Sequence, residues 1–238
     1  MSKDTVTLIT GAGSGIGRAL AIQLSARGHA LMLLGRTESK LAETARLCAA
    51  DGGVHRCALQ VCDVSDPLQV QRAIPVTVAA MGGLHVLVNC AGLAPLEPVS
   101  TTSAGMLEMT FAANTFGPAA LISSAWPHFV AQRAGCIVNI STTGTRDPFP
   151  GFFAYAASKA ALDSMTRSCH AEGAALGIRA FSINPGAVET PLLRGLFSHE
   201  TLPPEKVLDP SDVAALAVEC INGQRDHERG HTIHIARS

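Results

Sequence analysis

The 238-residue chain has little charge, few aromatic rings and no block of like-charged residues. Asp, Glu, Lys and Arg make up 16% of it and balance to a net charge of −1, so nucleic acid or an anionic membrane surface has no electrostatic partner here. Apolar residues reach 47%, so low charge does not mean disorder, and one sizeable core is expected. No apolar run approaches the ~20 residues of a membrane-spanning helix. Met1-Ser2-Lys3-Asp4 leads at once into an apolar run, which leaves no room for a signal peptide and gives a cytoplasmic location as the expectation. The seven cysteines (48, 57, 62, 90, 136, 169 and 220) are odd in number and include no C-x-x-C pair. That argues against a disulfide framework or a zinc site; reduced, buried thiols and no metal are expected. His231 and His234, three apart on a predicted strand, face opposite sides and make no simple metal pair.

Glycine, by contrast, is concentrated near the start. Val6-Thr7-Leu8-Ile9 reads as a buried strand, and Arg18-Ala19-Leu20-Ala21-Ile22-Gln23-Leu24 is apolar at helical spacing. Between them stands Thr10-Gly11-Ala12-Gly13-Ser14-Gly15-Ile16-Gly17. Glycines admit positive φ and a close backbone approach, and a helix N-terminus offers free N–H groups to a pyrophosphate. A loop of this kind at the first strand–helix junction is where a dinucleotide fold places its ligand.

Strand and helix patterns alternate from there. Predicted strands are Thr5–Thr10, Ala30–Leu34, His55–Val61, Leu84–Val88, Cys136–Ile140, Ile178–Ile183 and Thr232–Ile235. Predicted helices run from Ser14 to Ala26, Ser39–Ala50 with Thr37 as its cap, and Pro67 to Met81 capped by Ser65 or Asp66. Further helices run from Gly105 to Arg133, Ala154–Leu176, and Asp209 to Ile221. Asp51-Gly52-Gly53 stops the second helix, and Pro75 predicts a kink or a split in the third. Pro118 and Pro127 predict bending in the long fourth helix, and Pro185 to Leu208 is the largest irregular stretch. The alternation predicts a single α/β domain over residues 1–238, a doubly wound parallel sheet of about seven strands with helices on both faces.

Tyr155-Ala156-Ala157-Ser158-Lys159 is the second stretch that carries chemistry. On a helix, Tyr155 and Lys159 are i and i+4 and share a face. A free phenol titrates near 10 and works poorly at neutral pH; a close cation stabilises its anion. A shift of two to three units needs roughly 3–4 kcal/mol, the Coulomb energy of one cation about 4 Å away at an effective dielectric of about 20. Spacing alone equally describes an ordinary helix surface. The pair stands out because Tyr155 is the only tyrosine and follows the carboxyl end of the fifth strand, the side where such sheets bind ligands.

These stretches together resemble the short-chain dehydrogenase/reductase family. Thr10-Gly11, Gly15 and Gly17 are similar to its T-G-x-x-x-G-x-G pattern, and Asn89-Cys90-Ala91-Gly92 to its N-N-A-G motif with Cys90 in place of the second Asn. Tyr155 and Lys159 match Y-x-x-x-K, Asn114 stands where the catalytic Asn lies, and Pro185-Gly186-Ala187-Val188-Glu189-Thr190 is similar to P-G-x-V-x-T. The motifs occur in order over nearly the whole chain. The resemblance implies an oxidoreductase moving a hydride between a nicotinamide cofactor and a small carbonyl or secondary alcohol. Tyr155 would be the general acid/base, Lys159 would lower its pKa and hold the nicotinamide ribose, and Asn114 would hold a relay water. Gly11, Ser14, Gly15, Ile16 and Gly17 would cradle the pyrophosphate, and Asp63 and Val64 would bound the adenine. Asn89, Ala91 and Gly92 would line the cleft, with Pro185, Gly186, Val188 and Thr190 at the nicotinamide. A homodimer or homotetramer follows by the same analogy.

One position departs from the family pattern. The catalytic Ser stands thirteen residues before the Tyr, and that position here is Thr142, preceded by Ser141. Threonine offers the same donor with a stiffer χ1. Either Thr142 serves, or a one-residue slip brings Ser141 in, or the enzyme is impaired; Thr142 is favoured. Gly35 occupies the place of the acid that would hold a ribose 2′-OH, and Arg36 follows, which favours NADP over NAD, with Glu38 as a counter-signal. Phe149, Phe152, Phe153, Leu192, Leu193, Leu196 and Phe197 either wall an apolar pocket or pack as a core or subunit seam. The competing class is a cofactor-binding sensor or scaffold of the same fold, for which Thr142 and Cys90 speak.

Overall fold

The protein is described by a computed structural model over residues 5–50 and 56–237. Strands β1 (Val6–Thr10), β2 (Ala30–Gly35), β3 (Cys57–Val61), β4 (Val86–Asn89), β5 (Gly135–Ile140), β6 (Ile178–Pro185) and β7 (Thr232–Ile235) form one parallel sheet in the order β3-β2-β1-β4-β5-β6-β7. Between them run α1 (Gly15–Ser25), α2 (Glu38–Ala50), α3 (Pro67–Met81), α4 (Ala104–Phe111), α5 (Gly117–Gln132), α6 (Phe153–Gly173), α7 (Pro191–Arg194) and α8 (Pro210–Ile221). After β3 the chain crosses back to lay β4 on the other side of β1. The carboxyl ends of β1 and β4 therefore diverge into a crevice, the topological switch point of such sheets.

The central strands are apolar on both faces, as parallel strands covered by helices must be. Side chains alternate between two cores. Ile9, Leu31, Leu33, Val88, Val138 and Phe181 meet Leu20 and Leu24 of α1 and Val213 and Ala217 of α8. Leu8, Met32, Leu34, Leu87 and Ile137 meet Ile74 of α3 and Leu121 and Phe129 of α5. All seven cysteines are thiols. No helix among the described residues is long and apolar enough to cross a membrane, and no three His, Cys, Asp or Glu side chains among them are grouped to hold a metal ion.

Several boundaries correct the sequence reading. Pro75 does not split α3 into two helices; the helix runs through to Met81. Gln71 and Pro75 both face solvent, so the carbonyl that loses its N–H partner can turn to water. Asp66, not Ser65, caps this helix, its carboxylate accepting from the N–H groups of Leu68 and Gln69. The expected single helix from Gly105 to Arg133 is two, joined by a π turn over Ala112–Phe116. Gly117 N–H bonds to the Ala112 carbonyl, five residues back, and Pro118 has no N–H to give Asn114. The stretch after Pro185 is less irregular than its composition suggests, since it holds α7 and a 3₁₀ turn at Pro204–Lys206. His55 and Asp51-Gly52-Gly53 lie outside the described residues.

The π joint is held against the loop after β3 by a contact that only glycine permits. A Cβ on Gly117 would stand 2.1 Å from the Val64 carbonyl oxygen, whereas one on Gly105 would meet nothing within 4 Å. Gly117→Ala should therefore destabilise the fold by about 1–3 kcal/mol, lowering the melting temperature by several degrees. Gly105→Ala, on an exposed turn of α4, should stabilise by about 0.5–1 kcal/mol. Thermal melts of the two variants beside the parent check the ordering, and equal melting temperatures would refute it.

Candidate active site

Thr10, the last residue of β1, ties the two sides of the crevice together. Its hydroxyl oxygen accepts from the N–H groups of Cys90 and Ala91, both at 3.0 Å, and its proton goes toward the Val88 carbonyl. Gly11 follows at φ +68, where a Cβ would lie 2.9 Å from the backbone of Ala91. The turn can approach the β4 loop this closely only without side chains. Gly17 lies beneath it, and a Cβ there would come 2.5 Å from the Gly11 carbonyl oxygen. Arg18 and Thr44 brace the turn from α1 and α2, donating to the carbonyls of Gly13 (2.5 Å) and Ala12 (2.9 Å). Ser14 caps α1 without spending its hydroxyl on the helix, which leaves that hydroxyl and the first N–H groups for a ligand.

From this loop one cavity of about 660 Å³ runs along the carboxyl edge of the sheet. Gly11, Ser14, Gly15, Ile16, Arg36, Asp63, Val64, Ala91 and Gly92 line it, as do Ser141, Thr142, Tyr155 and Lys159. Pro185, Gly186, Val188 and Thr190 close its far side. Three residues singled out from the sequence stand behind the wall. Gly17 acts through packing. Asn89 is 1% exposed and donates to Asn139 Oδ1, which belongs to a chain reaching Thr166 of α6. Asn114 is fully buried in the π turn: Oδ1 accepts from Leu93 N–H, and Nδ2 donates to the Leu93 carbonyl and to Ser158 Oγ. Its amide thus clamps the backbone just past Gly92. A Cβ on Gly92 would lie 3.0 Å from Asn114 Oδ1 and 3.3 Å from Lys159 Nζ, so those two groups flank the same point.

Tyr155 and Lys159 share the cavity-facing side of α6, but the expected lowering of the phenol by the lysine is absent. Lys159 Nζ donates to the Ile140 carbonyl at 2.7 Å. Burial governs both groups, pushing the Tyr155 phenol up to about 12 against a small opposing pull from the Thr142 hydroxyl, and bringing the Lys159 ammonium down to about 8. Burial also raises the Cys90 thiol, which lines the cleft, to about 11. The two hydroxyls after β5 part ways. Ser141 is 3% exposed and its hydroxyl points at the Lys159 carbonyl, 3.4 Å away. Thr142 stands beside the Tyr155 phenol and accepts from Gly144 N–H.

Sequence reasoning missed the residues that hold Thr142. Asn184 Nδ2 donates to the Thr142 carbonyl at 2.9 Å and to Asp163 Oδ2 at 2.9 Å, and Asp163 Oδ1 accepts from Ser182 Oγ at 2.6 Å. Polar residues on a buried strand (Ser182, Asn184) and one turn beyond Lys159 (Asp163) were the signal. Lys40 of α2 also reaches the wall beside Arg36. Phe153, grouped with the apolar wall from its sequence neighbourhood, begins α6 and is 45% exposed away from it. Phe149, Phe152, Leu192, Leu193, Leu196 and Phe197 do line the cavity.

The loop bearing four of those apolar residues is closed at its base and stapled inside. Val188 and Leu208 form a parallel bridge. Arg194 Nε donates to Glu189 Oε1 at 2.7 Å while Nη2 meets the other carboxylate oxygen, and Nη1 reaches the carbonyls of Phe197, Ser198 and Leu202. The guanidinium holds the Glu189 carboxyl below the usual carboxylate range.

A glycine cradle at the switch point, a free helix N-terminus and one cleft continuing to a half-buried Tyr155 beside a buried Lys159 define an α/β protein of the doubly wound, dinucleotide-binding class. The chain belongs to the short chain dehydrogenase family, whose profile matches residues 5–201. It is 33% identical over 217 residues to an uncharacterized oxidoreductase of Staphylococcus saprophyticus, covering 91% of this chain and 90% of that one. It is 35% identical over 193 residues to the 2-(R)-hydroxypropyl-CoM dehydrogenase of Xanthobacter autotrophicus, covering 79% and 76% respectively. The crystal structure of levodione reductase superposes with a TM-score of 0.91 at 25% identity, over 98% of this chain and 96% of that one.

Arg194→Ala removes the bonds to Glu189 and to the carbonyls of Phe197, Ser198 and Leu202, leaving the loop its backbone turns and the short side-chain bonds of Thr190 and Ser198. Amides from Leu196 to Leu202 should then exchange with solvent at least tenfold faster, a loss of about 1.4 kcal/mol of local protection. Arg194→Lys should recover only part, since an ammonium cannot make the paired contact to Glu189. Hydrogen-exchange mass spectrometry reads both; unchanged protection in Arg194→Ala would show that the staple does not order the loop.

Proposed function

We propose that the protein reduces a carbonyl, or oxidises the matching secondary alcohol, with NADP(H), using Tyr155 as general acid/base. The observation that carries this reading is the single cavity in which the glycine cradle, Lys159, Tyr155 and Thr142 follow one another. The residues fit a dinucleotide: Gly11, Gly15 and Gly17 occupy points that a Cβ would crowd, and Ser14 leaves its hydroxyl unspent. When bound, the dinucleotide supplies or accepts the hydride. The chain's own groups handle the proton and the orientation. Thr142 donates to the substrate oxygen, and the neutral Tyr155 phenol gives that oxygen a proton in reduction or accepts one through its anion in oxidation. Lys159, with protons to spare beyond its bond to Ile140, holds the ribose and replenishes the phenol. Asn114, whose main-chain carbonyl has no N–H from Pro118 to accept, would hold a relay water.

NADP is favoured because the end of β2 presents Arg36 and, one turn into α2, Lys40, while no acid of β2 or α2 lines the cavity. Glu38 heads α2 outside that wall. Residues 1–238 serve as one catalytic domain. We further propose a cytoplasmic homodimer or homotetramer, supported by the exposed Met109, Phe116 and Phe153 on the middle helices.

NADPH should bind at least tenfold more tightly than NADH, about 1.4 kcal/mol, and Arg36→Ala should erase most of the difference. Fluorescence titration of reduced cofactor measures it, and parity in the parent protein would sink the assignment.

Tyr155→Phe should keep cofactor binding while turnover falls about 10²–10⁴-fold. Thr142→Val should lose about 10²–10³-fold, Thr142→Ser should stay active, and Ser141→Ala should lose little turnover. Initial rates with one ketone and NADPH rank the four. A crippled Ser141→Ala beside a healthy Thr142→Val would transfer the role to Ser141, and full activity in Tyr155→Phe would favour a binding protein over an enzyme.

A further inference from the structure

Charge is unevenly distributed along the cavity. Among the described residues, only Arg36, Lys40, Asp63 and Lys159 line it as charged residues. Arg36 and Asp63 follow the ends of β2 and β3, at least three strand spacings, roughly 14 Å, from β5, and Lys40 lies in α2, which follows β2. Lys159 belongs to the catalytic pair. Beyond Tyr155 the wall is Phe149 and Phe152 from the loop before α6, and Leu192, Leu196 and Phe197 from the stapled loop. The polar side chains there are threonine hydroxyls, Thr142, Thr143 and Thr201.

The nearby charges are spent elsewhere. Arg194 and Glu189 neutralise one another, and the remaining Arg194 donor is shared among three carbonyls. His199 faces Glu189 at 3.7 Å. Glu97, Arg146, Asp147 and Glu200 lie outside the wall. The rings are also ordered: Phe152 packs against Tyr155 at 5.5 Å between centroids and against Phe197 edge-on at 6.3 Å. A hydrocarbon or aryl group docked there meets aromatic and aliphatic surface next to the phenol. An anionic tail would be desolvated against the same surface with no counter-charge to meet it.

We propose that the substrate is an uncharged ketone, or its secondary alcohol, whose carbonyl carries an aryl or alicyclic hydrocarbon group, and that the stapled loop excludes substrates bearing a carboxylate, phosphate or sulfonate near the reacting carbon. This rests on Tyr155 marking the reacting end. Acetophenone and 4-acetylbenzoate differ only by a carboxylate and test it directly. Their binding to the dead-end complex of the protein with oxidised cofactor is measured by ligand-observed NMR, and their kcat/KM with NADPH is measured separately. Acetophenone should bind at least 30-fold more tightly than 4-acetylbenzoate. Leu192 is 46% exposed, so Leu192→Arg adds a cation to the wall with little burden on folding, checked by an unchanged melting temperature. It should narrow the ratio at least tenfold.

Equal binding of the two ketones in the parent, failure of both to bind, or an unchanged ratio in folded Leu192→Arg would overturn the inference. Selective binding without reduction would remove the catalytic reading while leaving this one standing. Reduction of both ketones with equal kcat/KM would do the reverse.

Discussion

The site depends on how closely two backbone segments can be brought together at the carboxyl ends of β1 and β4. The Thr10 hydroxyl accepts two N–H groups from the β4 loop, and Gly11 presses against Ala91 at a distance that excludes any side chain. A parallel sheet supplies no bonds between its strand ends, so without this tie the loops would splay where the order switches. With it, Gly92 lies against Asn114 and Lys159, and the cradle for phosphates is fixed relative to the helix bearing Tyr155. Small residues and one hydroxyl thus set the spacing that larger groups then use.

Burial sets the electrostatics within that frame. Lys159 and Tyr155 are both pushed toward their neutral forms, the ammonium down to about 8 and the phenol up to about 12. A cleft that disfavours charge in this way responds strongly to any charge brought into it, because low dielectric magnifies each interaction. The same economy governs the β5–β6 side, where Asp163 is buried but satisfied by Ser182 and Asn184, and Asn184 passes the constraint on to the Thr142 backbone. Beyond it the Arg194–Glu189 staple shapes the loop while keeping its own charges off the cavity wall.

The sequence by itself determined the alternation of strands and helices, the parallel sheet and the place of the crevice. These follow from local periodicity and from glycine at a strand–helix junction, and long-range contacts only confirm them. It also marked Tyr155, Lys159 and the loop from Pro185 to Thr190. Only the tertiary structure showed where the two hydroxyls go, Ser141 toward the Lys159 carbonyl and Thr142 beside the Tyr155 phenol, because alternation says that they diverge without saying which way the interior lies. It decided that Asn89 and Asn114 serve behind the wall, since their partners, Asn139, Leu93 and Ser158, lie far away in sequence or on another element. The break at Ala112–Phe116 was written in Pro118, yet a bent helix and a π turn have the same composition, and the Val64 contact to Gly117 selects between them. The protonation tendencies of Tyr155 and Lys159 were the least legible, for a physical reason: i,i+4 spacing fixes which face two side chains share, while their pKa values depend on how much water the rest of the fold removes.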